Sequence, residues 1–470
     1  MKDNKALAEA SKQEEYIRRI KSLNDEYFKE TGKHKKMLTV TFGCQMNAHD
    51  SEKLNGMLLK MGYVRAQGES DADFIIYNTC CVRENAENKV YGNLGFLKHE
   101  KKARPDLKIA LCGCMMQQPT VIETIRKKYK HVDIVFGTFN IYKLPELMYR
   151  NIESGSPIFD IWKEHELIME DLPAVRKKSF KASVNIMFGC NNFCTYCIVP
   201  YVRGRERSRQ PEDIIKEIKE LVKNGAKEIM LLGQNVNSYG KGLQEEISFA
   251  RLLRMVNDIE GVERIRFMTS HPKDLSDELI YAMRDCEKVC KHLHLPFQAG
   301  NNDILRKMNR RYTKERYLEL TEKIKKEIPD IALTTDIMVG FPGEGEAEIE
   351  DTVDIVKKVR FSGAFTFIYS KRTGTPAAEM EQTEECVVKS NFNKVLEAVN
   401  PIIKEINDEK VGKTYSVLAE EVSGGDKELI SGRLEDNSLV HFKAPESVIG
   451  NIVDVKITDC KTFYLVGEML

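Results

Sequence analysis

Three cysteines of this chain lie on one short segment, Cys190, Cys194 and Cys197, in the spacing C-x3-C-x2-C. A protein-bound [4Fe-4S] cluster is ordinarily held by four thiolates. Three thiolates with no fourth nearby would leave one iron open to another ligand, which favours a catalytic cluster over an electron carrier. A structural zinc site is the alternative, but such sites usually close with four protein ligands.

Three further cysteines, Cys44, Cys80 and Cys114, each follow a short apolar run that predicts a buried β-strand. The carboxyl ends of parallel strands lie along one edge of a sheet, so thiols far apart in the chain can meet there. This set is again one thiolate short of a closed four-iron site. Cys112 is expected to stay inside its strand as a small apolar residue. Spacing leaves the choice between Cys80 and Cys81 open.

The N-terminal third of the chain must position this second set. Residues 1–35 are polar, with apolar positions at helical spacing, and are expected to be either a short helix or a mobile extension. Residues 36–150 alternate short apolar runs with helical stretches, which predicts an α/β domain with a parallel sheet. Residues 151–178 are loosely patterned and are interpreted as a linker. The predicted strands are 37–42, 74–77, 109–112 and 134–136.

The rest of the chain must position the three-cysteine loop. Residues 179–402 contain six strand–helix units, which predicts a partial (β/α)6 barrel, short of the eight units that close a full barrel. Residues 403–470 lose helical spacing and show β-type alternation with Gly-containing turns, which predicts a small β-barrel. The predicted strands of the partial barrel are 182–188, 228–232, 264–268, 292–295, 332–339 and 364–369.

Polar residues follow several of these predicted strands. Cys190 comes directly after the first barrel strand, and Gly189 permits the turn because it has no Cβ. Gln234, Ser270 and Glu344 come after later strands. Barrel enzymes keep their reactive groups at the carboxyl ends of the strands. Together with the cysteine loop, this series predicts one cavity at that end of the barrel.

The overall charge is balanced, with 72 Lys and Arg against 72 Asp and Glu, so it indicates no particular partner. Residues 174–209 differ, with eight basic residues and one acid. The N-terminus lacks the apolar segment of a signal peptide, and no apolar run could cross a bilayer, so we expect a cytoplasmic protein with no membrane partner. In a reducing compartment, twelve cysteines indicate metal ligation or catalysis rather than disulfides.

Several runs together resemble a known family. They are 42–47 (FGCQMN), 78–86 (NTCCVRENA), 113–115 (GCM), the three-cysteine loop and 203–209 (RGRERSR). In combination they resemble the methylthiotransferase family of radical S-adenosylmethionine (SAM) enzymes, over nearly the whole chain after residue 36. The resemblance implies two [4Fe-4S] clusters. Cys190, Cys194 and Cys197 would hold one, with SAM at its open iron, and Cys44, Cys80 and Cys114 would hold an auxiliary one.

The resemblance also implies residues that contact SAM and RNA. Cys80 is favoured over Cys81 by this analogy, and Gln234, Ser270 and Glu344 are the implied SAM contacts. The C-terminal barrel resembles the TRAM domain, an RNA-binding module of OB-like shape, although residues 401–470 hold 13 acids and 8 basic residues. Basic residues that could contact RNA phosphates are Arg203, Arg205, Arg207, Arg209 and Arg433.

The implied substrate is a modified adenine in tRNA. The runs 45–47, 198–201 and 234–239 resemble the branch of the family that acts on N6-dimethylallyladenosine next to the anticodon. The implied activity is methylthiolation of C2 of that base, using two SAM molecules, a 5′-deoxyadenosyl radical and sulfur carried by the auxiliary cluster. The implied partners are the tRNA anticodon stem-loop, an electron donor and a sulfur source.

Three other functions stay open at this point. Two keep the fold and change the substrate, to tRNA carrying threonylcarbamoyl-adenosine or to an aspartate of a ribosomal protein. The third is a non-catalytic RNA-binding protein in which the clusters are structural or redox-sensing.

Overall fold

The structure, a computed structural model, describes residues 2–81, 84–164, 168–245 and 247–470. Val82 and Arg83, which belong to the family-like run after Cys80, lie outside the described residues. The chain divides into two units, one formed by residues 1–177, 188–191 and 198–209 and the other by 178–187, 192–197 and 210–470. Within the described ranges, no helix is both long and apolar enough to cross a membrane.

The first unit is built on a six-stranded sheet. Its strands are β1 (Lys36–Thr41), β2 (Val64–Arg65), β3 (Phe74–Thr79), β4 (Lys108–Gly113), β5 (Ile134–Phe136) and β6 (Ile158–Asp160). They are parallel, in the order β2-β1-β3-β4-β5-β6. All six residues of β3 are buried, as expected for a parallel strand with both faces covered. The strand order reverses between β1 and β3, and ligands of such sheets bind outside the carboxyl ends at this point.

Five helices accompany this sheet: α1 (Lys2–Thr31), α2 (Gln45–Lys60), α3 (Glu84–Ala103), α4 (Pro119–Lys128) and α5 (Leu144–Ser154). The N-terminal extension forms α1, which packs on α5. Ile17 and Ile20 of α1 are buried in the same apolar cluster as Leu147 and Met148 of α5. Burial of one apolar face therefore stabilises a helix whose composition is mostly polar.

The stretch interpreted as a linker, 151–178, contains regular structure. It includes the end of α5 and the edge strand β6, which pairs in parallel with β5. Farther along, the backbone N–H of Val175 donates to the carbonyl of Glu52 at 3.0 Å. β6 has only two apolar residues in three, so it carries too short a pattern to be recognised as a strand.

The second unit contains the predicted partial barrel. Its strands β7 (Lys181–Asn185), β10 (Glu228–Leu232), β11 (Arg264–Phe267), β12 (His292–His294), β13 (Ala332–Val339) and β14 (Gly363–Ile368) follow one another in chain order. Every pairing among them is parallel, and a bridge between Ile265 and Val289 continues the sheet from β11 toward β12. The short strands β8 (Met187–Phe188) and β9 (Arg207–Ser208) flank the cysteine loop in the sequence.

The remaining helices follow in chain order, and the first of them, at residues 199–203, belongs to the first unit and not to the barrel. They are α6 (Val199–Arg203), α7 (Pro211–Lys223), α8 (Phe249–Asn257), α9 (Asp277–Asp285), α10 (Asn302–Lys307), α11 (Lys314–Glu327), α12 (Glu346–Val359) and α13 (Glu385–Asp408). Apolar residues of α7, α8, α9, α11, α12 and α13 share one continuous core with the strands. Strand–helix alternation and the buried core confirm the partial barrel predicted from the sequence.

The C-terminal part of the second unit is a closed five-stranded barrel. Its strands are β15 (Thr414–Val422), β16 (Leu429–Leu434), β17 (Leu439–Lys443), β18 (Ile452–Cys460) and β19 (Leu465–Met469), in the order β15-β16-β17-β19-β18. From β11, Arg264 and Arg266 donate hydrogen bonds of 2.7–2.9 Å to the carbonyls of Arg433, Leu434 and Glu435. The predicted fold class, a parallel α/β domain followed by a partial barrel and a small β-barrel, is confirmed.

Candidate metal centres and SAM site

The second cysteine set lies at the carboxyl edge of the N-terminal sheet. Cys44 follows β1 and is the N-cap of α2, Cys80 follows β3, and Cys114 follows β4. These three strands are neighbours in the sheet, and β1 and β3 flank the point where the strand order reverses. The fold therefore brings together three segments that are more than thirty residues apart in the sequence.

Two glycines allow these loops to approach one another. Gly43 has a φ of +112°, and a Cβ at this position would lie 2.3 Å from Cβ and 2.6 Å from Sγ of Cys80. Gly113 has a φ of +94°, and a Cβ there would lie 2.4 Å from the carbonyl oxygen of Thr79. Both positions require glycine for the backbone conformation and for space.

Asn47 of α2 ties the loops together. Its fully buried side chain donates from Nδ2 to the carbonyls of Phe42, at 3.0 Å, and Thr79, at 2.9 Å. Its Oδ1 accepts from the thiols of Cys44 and Cys114, each at 3.8 Å. One amide thus fixes the loops after β1 and β3 and gathers two of the three predicted ligands.

The neighbouring cysteines differ in their surroundings. A hydrogen bond with Cys81, followed by the charge of Arg203, lowers the pKa of Cys114 to about 6. The same hydrogen bond and burial raise the pKa of Cys81. Burial raises the pKa of Cys112, which lies within β4. The thiolate is the form that binds metal, so Cys114, whose pKa is lowered, is better suited to bind metal than Cys81 or Cys112. Cys112 is buried within its strand as a small apolar residue, as the sequence predicts.

The donor set is compatible with an iron–sulfur cluster. Among the described residues, no three Cys, His, Asp or Glu side chains converge on one position that could hold a metal ion. A four-iron cluster binds its cysteines at different irons, so its thiolates need not share one point. Three thiols at the edge of a parallel sheet, with a buried arginine beside one of them, are consistent with such a group.

The three-cysteine loop is held at its first residue by the turn that follows α6. Cys190 belongs to the first unit, and its N–H donates to the carbonyl of Gly204 at 3.1 Å. Gly189 has a φ of +77°, and a Cβ there would lie 2.1 Å from the carbonyl of Arg205. The glycine predicted to permit the turn is therefore required by both conformation and space.

Cys194 and Cys197 belong to the second unit and are held there by the segment after α10. Asn309 donates from Nδ2 to the carbonyls of Asn192, at 3.1 Å, and Phe193, at 3.0 Å. Phe193 and Asn309 both have positive φ values, +48° and +57°, conformations that cost energy for residues other than glycine. Arg310 is buried and places Nη1 at 3.8 Å from the sulfur of Cys194. Sequence reasoning assigned no such role to Asn309 or Arg310.

The strand-end residues predicted to contact SAM are largely buried. Ser270 Oγ and Glu344 Oε1 are enclosed and have no hydrogen-bond partner among the described residues. Glu344 accepts a hydrogen bond from the N–H of Gly340, and burial raises its pKa to about 7. Gln234 lies just after β10 and is half-buried. Buried polar atoms without partners are rare, so these atoms fit a site that a polar ligand completes.

The arginines predicted to contact RNA fall into three groups by burial. Arg203 is buried and ion-paired with Asp50, and Arg209 is buried and ion-paired with Glu170. For these two the structure corrects the prediction, because their guanidinium groups are engaged inside the protein. Arg205 is exposed. The other two are partly covered: Arg207 lies over the rings of Phe139 and Phe188, and Arg433 donates to the carbonyl of Asn437.

Comparison with known proteins agrees with this three-part architecture. Residues 36–137 match the model described as uncharacterized protein family UPF0004, residues 184–356 match the radical SAM superfamily, and residues 408–470 match the TRAM domain. Among solved structures, the radical SAM methyltransferase TsrM from Kitasatospora setae, with cobalamin and a [4Fe-4S] cluster bound, has a similar fold. The TM-score is 0.54 at 13% identity, over 73% of this chain and 74% of that one.

Curated relatives are much more similar in sequence. The tRNA-2-methylthio-N(6)-dimethylallyladenosine synthase of Clostridioides difficile (strain 630) is 59% identical over 466 residues, which cover 99% of this chain and 98% of the relative. The enzyme of the same name from Acetivibrio thermocellus is 58% identical over 98% of this chain and 96% of its own length. The family predicted from the sequence is confirmed, and the chain belongs to the radical SAM methylthiotransferases.

Proposed function

We propose that this protein is an enzyme that attaches a methylthio group to C2 of N6-dimethylallyladenosine next to the anticodon of tRNA, in the cytoplasm. The names of its relatives support the substrate. The observation that supports the chemistry is that the chain has two sets of three cysteines, each one thiolate short of the four that ordinarily hold a [4Fe-4S] cluster. One is the C-x3-C-x2-C loop, and the other is the sheet edge where Asn47 gathers Cys44 and Cys114.

The two sets have separate tasks. Cys190, Cys194 and Cys197 would hold the cluster that binds SAM, and Cys44, Cys80 and Cys114 would hold the auxiliary cluster. When bound, these groups and SAM supply the radical chemistry that breaks an unactivated C–H bond and the sulfur and methyl group that replace the hydrogen. General acid–base residues cannot readily remove the hydrogen from C2, so the protein's part is binding, orientation and electrostatics.

Several residues of the chain perform that part. Arg310 offsets the negative charge of the Cys194 thiolate at 3.8 Å, and Asn309 fixes the loop that carries it. Ser270 and Glu344 offer buried oxygen atoms to SAM at the barrel's carboxyl end. Arg205, which is exposed, and Arg207 and Arg433 remain the proposed phosphate contacts. An electron donor and a sulfur source complete the set of proposed partners.

The proposal is tested by nucleoside mass spectrometry of tRNA from a strain that lacks the corresponding gene. Expression of the wild-type protein should convert N6-dimethylallyladenosine to its 2-methylthio form. Expression of a Cys114→Ala variant should leave the base unconverted, and Cys112→Ala, a matched cysteine inside β4, should restore conversion.

Two results would replace the proposed substrate. A methylthio group on threonylcarbamoyl-adenosine, or on an aspartate of a ribosomal protein, with dimethylallyladenosine unchanged, would assign the alternative substrate. Unchanged tRNA and protein would favour a non-catalytic RNA-binding role.

A further inference from the structure

We propose that Arg203 is a positioning residue for the auxiliary cluster, which it serves by donating an N–H···S hydrogen bond to Cys114. In this role Arg203 orients the thiolate and raises the reduction potential of the cluster that the thiolate holds. The proposal rests on the proposed function, in that it requires Cys114 to be a cluster ligand. It replaces the RNA contact that the sequence predicts for this residue.

The guanidinium group of Arg203 contacts three residues at the carboxyl edge of the sheet. Its Nε lies 3.2 Å from Sγ of Cys114, and its Nη2 donates to Oδ1 of Asn47 at 2.7 Å and to Oδ2 of Asp50 at 2.9 Å. The residue is only 6% exposed. A single guanidinium therefore contacts a predicted ligand, the amide that gathers two predicted ligands, and a buried carboxylate.

The ion pair with Asp50 does not by itself explain this arrangement. A buried ion pair pays a desolvation cost that its attraction often only balances, so it is weak evidence for a purely stabilising role. The helix that ends at Arg203 is also anchored without its side chain. Ile198 and Val202 of this segment are buried in the apolar core of the first unit, and Thr138 Oγ1 donates to the Val202 carbonyl at 2.7 Å. The direction of Nε toward sulfur therefore calls for a separate reason.

Iron–sulfur chemistry supplies that reason. Hydrogen bonds to the ligand sulfurs and nearby charge tune the reduction potential of a cluster. An N–H donor and a buried positive charge both stabilise the more negative, reduced state, so they raise the potential. Outer hydrogen-bond partners also orient the ligand, and their loss typically weakens metal binding about 10- to 100-fold.

The test measures properties of the auxiliary cluster alone, with no tRNA present and no catalytic turnover. The background is the full chain with Cys190→Ala, Cys194→Ala and Cys197→Ala, reconstituted anaerobically. Arg203→Gln removes the positive charge and the planar set of guanidinium N–H donors. Arg203→Lys keeps the charge but cannot present the same pair of N–H groups. The matched control is Arg209→Gln, a buried arginine of the same segment that pairs with Glu170. Asp50→Asn removes the ion pair and keeps the donor to sulfur.

The measurements are the midpoint potential, from a redox titration followed by electron paramagnetic resonance, and the rate of iron loss to a chelator. We expect both Arg203 variants to lower the potential, with the glutamine variant lower than the lysine one. Iron loss should be about tenfold faster in Arg203→Gln. Arg209→Gln should stay near the background potential, and Asp50→Asn, which removes a nearby negative charge and keeps the donor to sulfur, should not lower it.

The proposal is overturned if Arg203→Lys titrates at the background potential, or if Asp50→Asn lowers the potential as much as Arg203→Gln. Arg203→Lys decides the question should Arg203→Gln fail to fold by circular dichroism. Failure of the premise that Cys114 is a cluster ligand has a different signature, since the background protein would then bind no auxiliary cluster.

Discussion

The two cysteine sets supply the same number of thiols by different routes. The barrel set comes from eight consecutive residues, so its spacing is fixed by the sequence. The sheet-edge set comes from three loops, and it exists only when β1, β3 and β4 pair in register. A local loop can be recognised from its spacing, whereas a site made by tertiary structure needs a resemblance or a structure to define it.

The two sites nevertheless use similar supporting residues. At the sheet edge, Asn47 donates to two loop carbonyls and Arg203 contacts the sulfur of Cys114. At the barrel, Asn309 donates to two loop carbonyls and Arg310 contacts the sulfur of Cys194. At each site an asparagine fixes the backbone, and a buried arginine lies beside the sulfur of a cysteine. This parallel leads to predictions that separate the two sites.

The largest expected effect comes from removing either set of cysteines. Replacing Cys190, Cys194 and Cys197 by Ala should abolish both SAM cleavage and methylthiolation. Replacing Cys44, Cys80 and Cys114 should abolish methylthiolation and leave SAM cleavage. Iron should fall from about eight to about four per chain in each case, since each site holds a four-iron cluster. Iron analysis and quantification of 5′-deoxyadenosine check this, and an unchanged iron content in either triple variant would contradict the assignment of that site.

Replacing the supporting asparagines, Asn47 and Asn309, should have smaller effects, which differ in whether SAM cleavage is lost. Asn47→Ala leaves the buried carbonyl of Thr79 and the partly buried carbonyl of Phe42 without their donor, which costs about 1–3 kcal/mol at that site. We expect it to reduce methylthiolation about 10- to 100-fold while SAM cleavage continues. Asn309→Ala should reduce both reactions together. Each variant is the control for the other, and equal loss of SAM cleavage in both would remove the distinction between the sites.

The buried carboxyl of Glu344 predicts a pH dependence of stability at the carboxyl end of the barrel. No cation is among the groups that shift its pKa, and burial raises this pKa from 4.5 to about 7. Between these values the folded state keeps a proton that the unfolded state releases, so stability falls as the pH rises. Relative to Glu344→Gln, the apoprotein should lose on the order of 3 kcal/mol of unfolding free energy between pH 5 and pH 8. Denaturant titrations of both proteins check the sign, and a pH-independent difference would contradict it.

The smallest effect is expected in the basic segment that follows the three-cysteine loop in the sequence. Arg205 is exposed, whereas Arg209 is buried in an ion pair. Arg205→Ala should weaken tRNA binding a few-fold and lower the slope of log affinity against log salt by about one, because one phosphate contact is lost. Affinity measured at several salt concentrations tests this. An unchanged slope would leave Arg205 without a phosphate contact.

Sequence patterns predicted the fold more completely than the contacts. All six barrel strands were predicted close to their observed positions, because short strand-like runs alternate regularly with helical stretches along this part of the chain. The strands β2, β6, β9, β16 and β19 were not predicted. β2 has two residues and β6 has three, and β16 contains Ser431 and Gly432, which interrupt the apolar alternation.

The contacts depend on partners far away in the sequence. The run Arg203–Arg209 has the composition of a phosphate-binding segment, but Arg203 pairs with Asp50, which lies 153 residues earlier. The sequence around Arg203 does not indicate this ion pair. The sequence around Asn309 likewise does not indicate its hydrogen bond to a loop more than a hundred residues away. The cysteines were identifiable because their residue type and position after strands limit what they can do.

The central claim, that two open cysteine sets act together on one base, is tested most directly by a single-turnover reaction. The reconstituted wild-type protein would be mixed with reductant, SAM and an anticodon stem-loop that carries N6-dimethylallyladenosine, with no added sulfide. We expect the base to gain one methylthio group, detected by mass spectrometry, together with 5′-deoxyadenosine. Formation of 5′-deoxyadenosine without any methylthiolated base, in protein with its full iron content, would contradict the claim.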